Sequence, residues 1–205
     1  MTKTIEFLFD VVSPNGYLAW YPLRDMAARV GAEIIVTPVF LGGMHKQTGN
    51  APPMIRDKDV KGKVEYSVLE MQRFITKHGF TKYRLHPQFP FNSVTFQRML
   101  LAVDGAERIK LVETLLPALW EDGVPVDDPA ALGAKLAAAG FDAEALFAKT
   151  QDPAIKQQLM DNTQGAIDRG AFGIPTFYVN TGKGGTDEMF FGKERLGQIE
   201  EMLAA

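Results

Sequence analysis

A serine followed by proline, Ser13-Pro14, stands where a short apolar run gives way to a helical pattern. A helix start there has two readings. Ser before Pro is an ordinary N-cap with Pro at the first helical position. The same place also offers unpaired N–H groups and the positive end of a helix dipole, to which a hydroxyl adds one more donor for a thiolate or carboxylate. A covalent nucleophile does not fit, because no G-x-S-x-G elbow surrounds Ser13 and no histidine is near in sequence. The second candidate is Gly173-Ile174-Pro175-Thr176, just ahead of an apolar segment. It reads either as a plain turn or as a cis-proline loop. In a cis-proline loop the Ile174 N–H and C=O would face outward and pair with an extended peptide. The chain has no cysteine, so a reactive thiol would have to arrive with a ligand. His45, His78 and His86 are dispersed and lack ligand spacing such as H-E-x-x-H. They read as surface or loop residues, and no metal site is expected.

The elements that must position these residues follow from the apolar spacing. Ile5 to Asp10 is a short buried strand, and a helix carries Leu18, Leu23, Met26, Ala27 and Val30 on one face until Gly31. Glu33 to Val39 is a second strand, which makes a parallel βαβ unit. Gly42 to Pro53 reads as a Gly- and Pro-rich loop. For more than a hundred residues thereafter the pattern is helical. Val64, Val68, Met71 and Ile75 mark one face, Asn92-Ser93 opens another helix, and Asp128-Pro129 and Asp152-Pro153 open two more. Pro117 should kink or split the helix over Glu107 to Trp120. Strands return at Pro175 to Val179 and Glu188 to Phe191, and a helix over about Glu194 to Leu203 closes the chain. The order β-α-β, helices, β-β-α is an α/β, thioredoxin-like fold with a large all-helical insertion. It divides into residues 1–42 and 171–205 as the thioredoxin-like part and 43–170 as the insertion.

Four separated motifs then carry a family resemblance. Phe9-Asp10-Val11-Val12-Ser13-Pro14-Asn15-Gly16-Tyr17-Leu18-Ala19, Gly49-Asn50-Ala51-Pro52-Pro53, Gly170-Ala171-Phe172-Gly173-Ile174-Pro175 and Phe191-Gly192-Lys193-Glu194-Arg195 resemble the 2-hydroxychromene-2-carboxylate isomerases and kappa-class glutathione transferases. They match in order and approximate spacing over essentially the whole chain. The resemblance implies glutathione as cofactor, with Ser13 at its sulfur and Asn50 in the loop that reaches the tripeptide. Ile174, ahead of Pro175, would pair its backbone with the cysteinyl part, and Gly192, Glu194 and Arg195 would bind the γ-glutamyl end. Glu194 replaces the family's usual Asp, which keeps the charge and lengthens the reach by one methylene. Phe91 stands before Asn92-Ser93, where the isomerases tend to carry Tyr. Lys46 and Arg56 flank the Asn50 loop and are open to two readings, contacts for a substrate carboxylate or solvated cations. Met44, Met54, Phe89 and Phe91 are equally open, as an apolar pocket or as ordinary packing. The implied activity is a glutathione-dependent cis–trans isomerisation of an unsaturated aromatic carboxylate. The alternatives are a kappa-like transferase that conjugates electrophiles and a non-catalytic thioredoxin-like peptide-binding protein.

Composition excludes other classes. Hydrophobic residues make up 46% and charged residues 23% of 205, and 22 Lys+Arg against 25 Asp+Glu leave a net charge of −3. The balance is that of a globular domain with no basic excess for nucleic acid, and no apolar run is long enough to span a bilayer. A dithiol redox function is excluded by the absence of cysteine. Met1 to Glu6 holds no long apolar h-region, so the expected location is the cytoplasm. The expected partner is a small aromatic substrate, with no nucleic acid and no membrane, and a homodimer is left open.

Overall fold

The computed structural model describes residues 2–205, so the first residue of the 1–42 segment lies outside it. β1 (Thr4–Phe9), α1 (Pro14–Val30) and β2 (Glu33–Pro38) form the expected unit, with β1 parallel to β2 and Thr4 opposite Glu33. Eight helices follow: α2 (Leu41–Thr48), α3 (Pro53–Arg56), α4 (Lys63–His78), α5 (Val94–Leu101), α6 (Gly105–Trp120), α7 (Pro129–Ala138), α8 (Ala143–Lys149) and α9 (Pro153–Asp168). β3 (Thr176–Asn180) then runs antiparallel to β1, and β4 (Glu188–Phe191) antiparallel to β3. A one-turn 3-10 helix, Lys193–Arg195, leads into α10 (Leu196–Ala204). The sheet order is β2-β1-β3-β4. The chain therefore has the thioredoxin-like α/β fold, with helices placed between β2 and β3.

Both faces of the sheet are covered. Ile5, Phe7 and Phe9 share one cluster with Trp20, Leu23 and Met26 of α1, Phe177 of β3 and Ile199 and Leu203 of α10. The Phe7 and Phe177 rings stack across the strands at 5.3 Å between centroids. The same cluster runs into the helical segment through Phe96, Leu100, Leu115 and Trp120, so sheet and helices share one apolar interior. Leu8 and Tyr178 face the other way and pack with Met44 of α2 and Ala166 of α9. Fully burying each large side chain is worth about 1.5–3 kcal/mol. The strongly apolar β1 (TIEFLF) is therefore held from both sides, and with it the loop it feeds into, which carries Ser13.

The structure departs from the sequence reading at three helices. Residues Leu41–Thr48 form α2 rather than a loop. Its two glycines lie under the Phe40 ring, and a Cβ on Gly43 would sit 2.8 Å from Phe40 Cδ1. Close approach, not a turn, accounts for Gly42 and Gly43. Pro117 does not split α6; the helix continues past it to Trp120, and the Pro117 carbonyl accepts Glu121 N–H at 2.9 Å and Asp122 N–H at 3.0 Å where the last turn ends. α8 was not anticipated, although Asp142 caps it through a 2.9 Å bond from Ala145 N–H. Asp128 and Asp152 cap α7 and α9 as their sequences indicate.

Candidate functional site

Ser13 caps α1 from the C-terminal end of β1, and its Oγ accepts the Gly16 N–H at 3.1 Å. The Ser13 hydroxyl has a second partner across the fold, the Ile174 carbonyl at 3.4 Å. That distance is long for a hydroxyl donor, so the proton is weakly held. Ser13 is 4% exposed and Ile174 6%. The Ile174–Pro175 bond is cis, and so is Phe89–Pro90. The Ile174 carbonyl faces Ser13, while its N–H makes no hydrogen bond among the described residues.

Beneath this junction lies a polar frame that the sequence did not reveal. Asp10 is fully buried; its carboxylate accepts Leu41 N–H at 2.8 Å and Val12 N–H at 3.1 Å. Burial pushes its pKa up to about 6, against the lowering effect of the Leu41 and Val12 donors. Gln97 of α5, also fully buried, gives its Nε2 protons to the Phe9 carbonyl at 2.6 Å and the Val39 carbonyl at 3.0 Å, and its Oε1 accepts Val11 N–H at 3.1 Å. Trp120 Nε1 donates to the Val11 carbonyl at 2.9 Å. The backbone leading into Ser13 is therefore fixed by side chains from the helical segment.

A cavity of about 590 Å³ opens at this junction, within the range of small-molecule sites. Its wall includes Ser13 and Ile174, the Asn50 loop, Arg56 of α3, the apolar face of α4, Phe91, and Glu194. Met54 and Phe89 line it too, whereas Met44 is buried in the core beneath. Asn50 fastens its loop to the Ile174 loop, with Nδ2 donating to the Phe172 carbonyl at 2.7 Å. Arg56 holds the neighbouring Asp57 through two bonds of 2.8 and 2.7 Å. Pro175 and Gly192 lie behind the wall, where the Gly192 N–H donates to the Pro175 carbonyl at 2.9 Å. Gly192 has φ +100°, and a Cβ there would come within 2.9 Å of Glu194 Oε2. Glycine is required at this turn. Lys46 and Arg195 are exposed and are not among the residues that line the cavity.

Two wall residues were missed in the sequence. Lys193 is 6% exposed; its ammonium lies 2.5 Å from Glu194 Oε1 and 5.1 Å from the Phe74 ring centroid. It sits inside the fourth motif, and its burial was the missing signal. His45 lines the cavity from α2, which had been read as a loop. Of the other histidines, His86 is buried and bonded to the Val124 carbonyl and Gln88 N–H, and His78 packs on Phe74.

With the geometry in view, comparison with known proteins decides the family. The family model of the DSBA-like thioredoxin domain matches residues 4–204. The chain belongs to the DSBA-like thioredoxin family. Within that family it is similar to the 2-hydroxychromene-2-carboxylate isomerase of Sphingobium xenophagum, 29% identical over 206 residues and 99% of each chain. It is also similar to glutathione S-transferase kappa 1 of Homo sapiens, 26% identical over 99% of this chain and 92% of the relative. A solved 2-hydroxychromene-2-carboxylate isomerase structure aligns with a TM-score of 0.80 at 25% identity, over 98% of this chain and 94% of the other. This DSBA-like chain carries no cysteine, and at the end of β1 it has Ser13. Among its described residues no helix is long and apolar enough to cross a membrane.

Proposed function

We propose that the cavity binds glutathione with its sulfur at Ser13, and that the protein is a glutathione-dependent cis–trans isomerase acting on an unsaturated aromatic carboxylate. The observation that carries this reading is the weakly held Ser13 hydroxyl at the N-terminus of a 17-residue helix, inside an apolar cavity. The residues present fit the tripeptide. The Ile174 N–H is a free backbone donor for its cysteinyl part, and Lys193 beside Glu194 offers both charges for its γ-glutamyl end. When bound, glutathione supplies a thiolate that adds reversibly to a conjugated double bond and so allows rotation about it.

The protein's own residues have separate tasks. Ser13 re-aims its proton from Ile174 to the sulfur, and the α1 dipole favours the anion. Asp10 and Gln97 hold the two strand ends that place Ser13 and α2. The α4 face and the Phe89–Phe91 turn exclude water and receive the aromatic body, with one free guanidinium edge of Arg56 for a carboxylate. A cytoplasmic location goes with this reading, since the cytosol is where glutathione keeps thiols reduced. The similarity to both isomerases and kappa transferases supports an enzyme of this group.

Product analysis tests the proposal. With 2-hydroxychromene-2-carboxylate and glutathione, the isomerase reading expects the geometric isomer with glutathione unconsumed and no turnover without it. A stable glutathione conjugate would replace this reading with the transferase one. The specific observation favouring that second reading is Phe91, which presents a ring without a hydroxyl to the cavity.

A further inference from the structure

Three places outside the roles already assigned have the means to do chemistry. The cleft shared by Arg29, Arg73 and Lys77 has its cations largely matched, with Arg29 on Glu200 and Arg73 on Glu70. The exposed outer side of α3 and α4, with Ile55, Val60 and Leu69, has nothing to indicate what covers it. The third place is His45, an imidazole on the wall of the cavity that holds Ser13.

Its position is built rather than incidental. α2 begins at Leu41, whose N–H is fixed on buried Asp10, three residues before Ser13. His45 is a helical neighbour of Leu41, four residues back, and of Gly42, three back, and all three line the cavity. Met44, the residue before His45, is fully buried in the core with Leu41 packed beside it, which anchors α2. His45 is half-buried, and neither ring nitrogen makes a hydrogen bond among the described residues.

We propose that His45 is a further catalytic residue, the base that receives the proton of the bound thiol. This rests on the reading of Ser13 as the sulfur's partner. In the step, the S–H bond breaks, its electron pair stays on sulfur, and the proton forms an N–H bond on the imidazole. The positive ring then faces the thiolate it has made, as in a thiol–imidazole pair. When the sulfur leaves the substrate the proton returns by the same path.

The electrostatics suit a base. Desolvation, and after it the charge of Arg56, hold the His45 pKa below the usual 6.5, so the ring is neutral at pH 7. Charged groups on the elements packed around α2 or lining its cavity are Asp10, Arg56, Glu70, Lys156, Asp161 and Asp168 of α9, and the Lys193–Glu194 pair. Of these, only Arg56 is felt at the ring. Ser13 supplies a donor to the anion, and the carboxylate of Asp10 is buried beneath with both oxygens engaged by the Val12 and Leu41 N–H groups, whereas the His45 ring nitrogens are unengaged among the described residues.

Proton balance on glutathione binding tests this. A free thiol near pKa 8.5 is almost wholly protonated at pH 7. Binding as thiolate must therefore move a proton to the protein or to the buffer. Calorimetry in buffers of different ionisation enthalpy gives the protons released, and the ultraviolet thiolate band gives the thiolate formed. In the wild type the release should fall well short of one proton per thiolate. In His45→Gln it should approach one, with kcat/KM at pH 7 reduced roughly 10²-fold and partly recovered as the pH rises. His45→Asn serves as a second variant should Gln disturb α2, and added imidazole should restore rate in either. Equal proton release per thiolate in wild type and variant overturns the proposal for His45 while leaving Ser13 untouched. Glutathione bound with no thiolate band overturns the Ser13 reading, and this one with it.

Discussion

Ser13, Asp10 and Glu194 show how much environment decides what a side chain can do. Ser13 spends its oxygen on the Gly16 N–H and keeps its proton on a long bond to Ile174, so it remains free to donate. Asp10 is the opposite case, a carboxyl fully engaged and fully buried. Its pKa is raised from 3.8 to about 6. A raised carboxyl contributes stability that is complete below the unfolded value and is lost as the pH rises through the folded one. The stability gap between wild type and Asp10→Asn should therefore shift by roughly 2 kcal/mol against the wild type between pH 4 and 7, read from chemical denaturation at each pH. A constant gap would mean that Asp10 titrates normally. Glu194 is half-exposed and shares its charge with Lys193. Glu194→Gln should weaken glutathione binding by about 1.5 kcal/mol, the low end for a hydrogen bond to a charged group, measured calorimetrically. Unchanged affinity would remove Glu194 from the γ-glutamyl end.

Among the elements, those with simple periodic or capping signals were legible and those shaped by tertiary contact were not. β1, α1, β2 and α4 follow from apolar spacing, and α7 and α9 from Asp-Pro starts. α2 was hidden because Gly42 and Gly43 signal a loop locally, while in the fold they make room for the Phe40 ring. With α2 unread, His45 had no face to belong to. Gln97 was invisible for a related reason. A glutamine on the buried side of an otherwise apolar helix has no sequence signature until the partners 58 to 88 residues away are known. Gln97→Leu would leave the Val39 carbonyl and the Val11 N–H unpaired, while the Phe9 carbonyl keeps the Val39 N–H at 3.0 Å. Each buried unpaired group costs about 1–3 kcal/mol, so denaturation should show a loss of more than about 2 kcal/mol. A loss under about 1 kcal/mol would show that other donors take over this joint.

At the scale of the whole molecule, four motifs spread over nearly 190 residues meet at one end of the sheet. Their order and spacing made the fold and most of the cavity wall readable: Ser13, Asn50, Ile174, Glu194 and Phe91 line one cavity or its rim. Sequence order alone did not separate the wall from its supports. Pro175 and Gly192 brace each other behind the wall, and Lys46 and Arg195 stand clear of it. The helical segment does more than occupy the space between β2 and β3, since Gln97 and Trp120 reach from it to the residues that place Ser13. The proposed function requires one property of that junction, that it hold a ligand's sulfur as an anion. The direct measurement is the pKa of glutathione's thiol when bound, followed through its ultraviolet thiolate band, in wild type and in Ser13→Ala. One charge-assisted hydrogen bond plus the helix terminus should bring that pKa at least about one unit below 8.5 in the wild type, and Ser13→Ala should return it upward by about one unit while binding persists. A bound thiol that titrates near 8.5 in the wild type, or identically in both proteins, would contradict it.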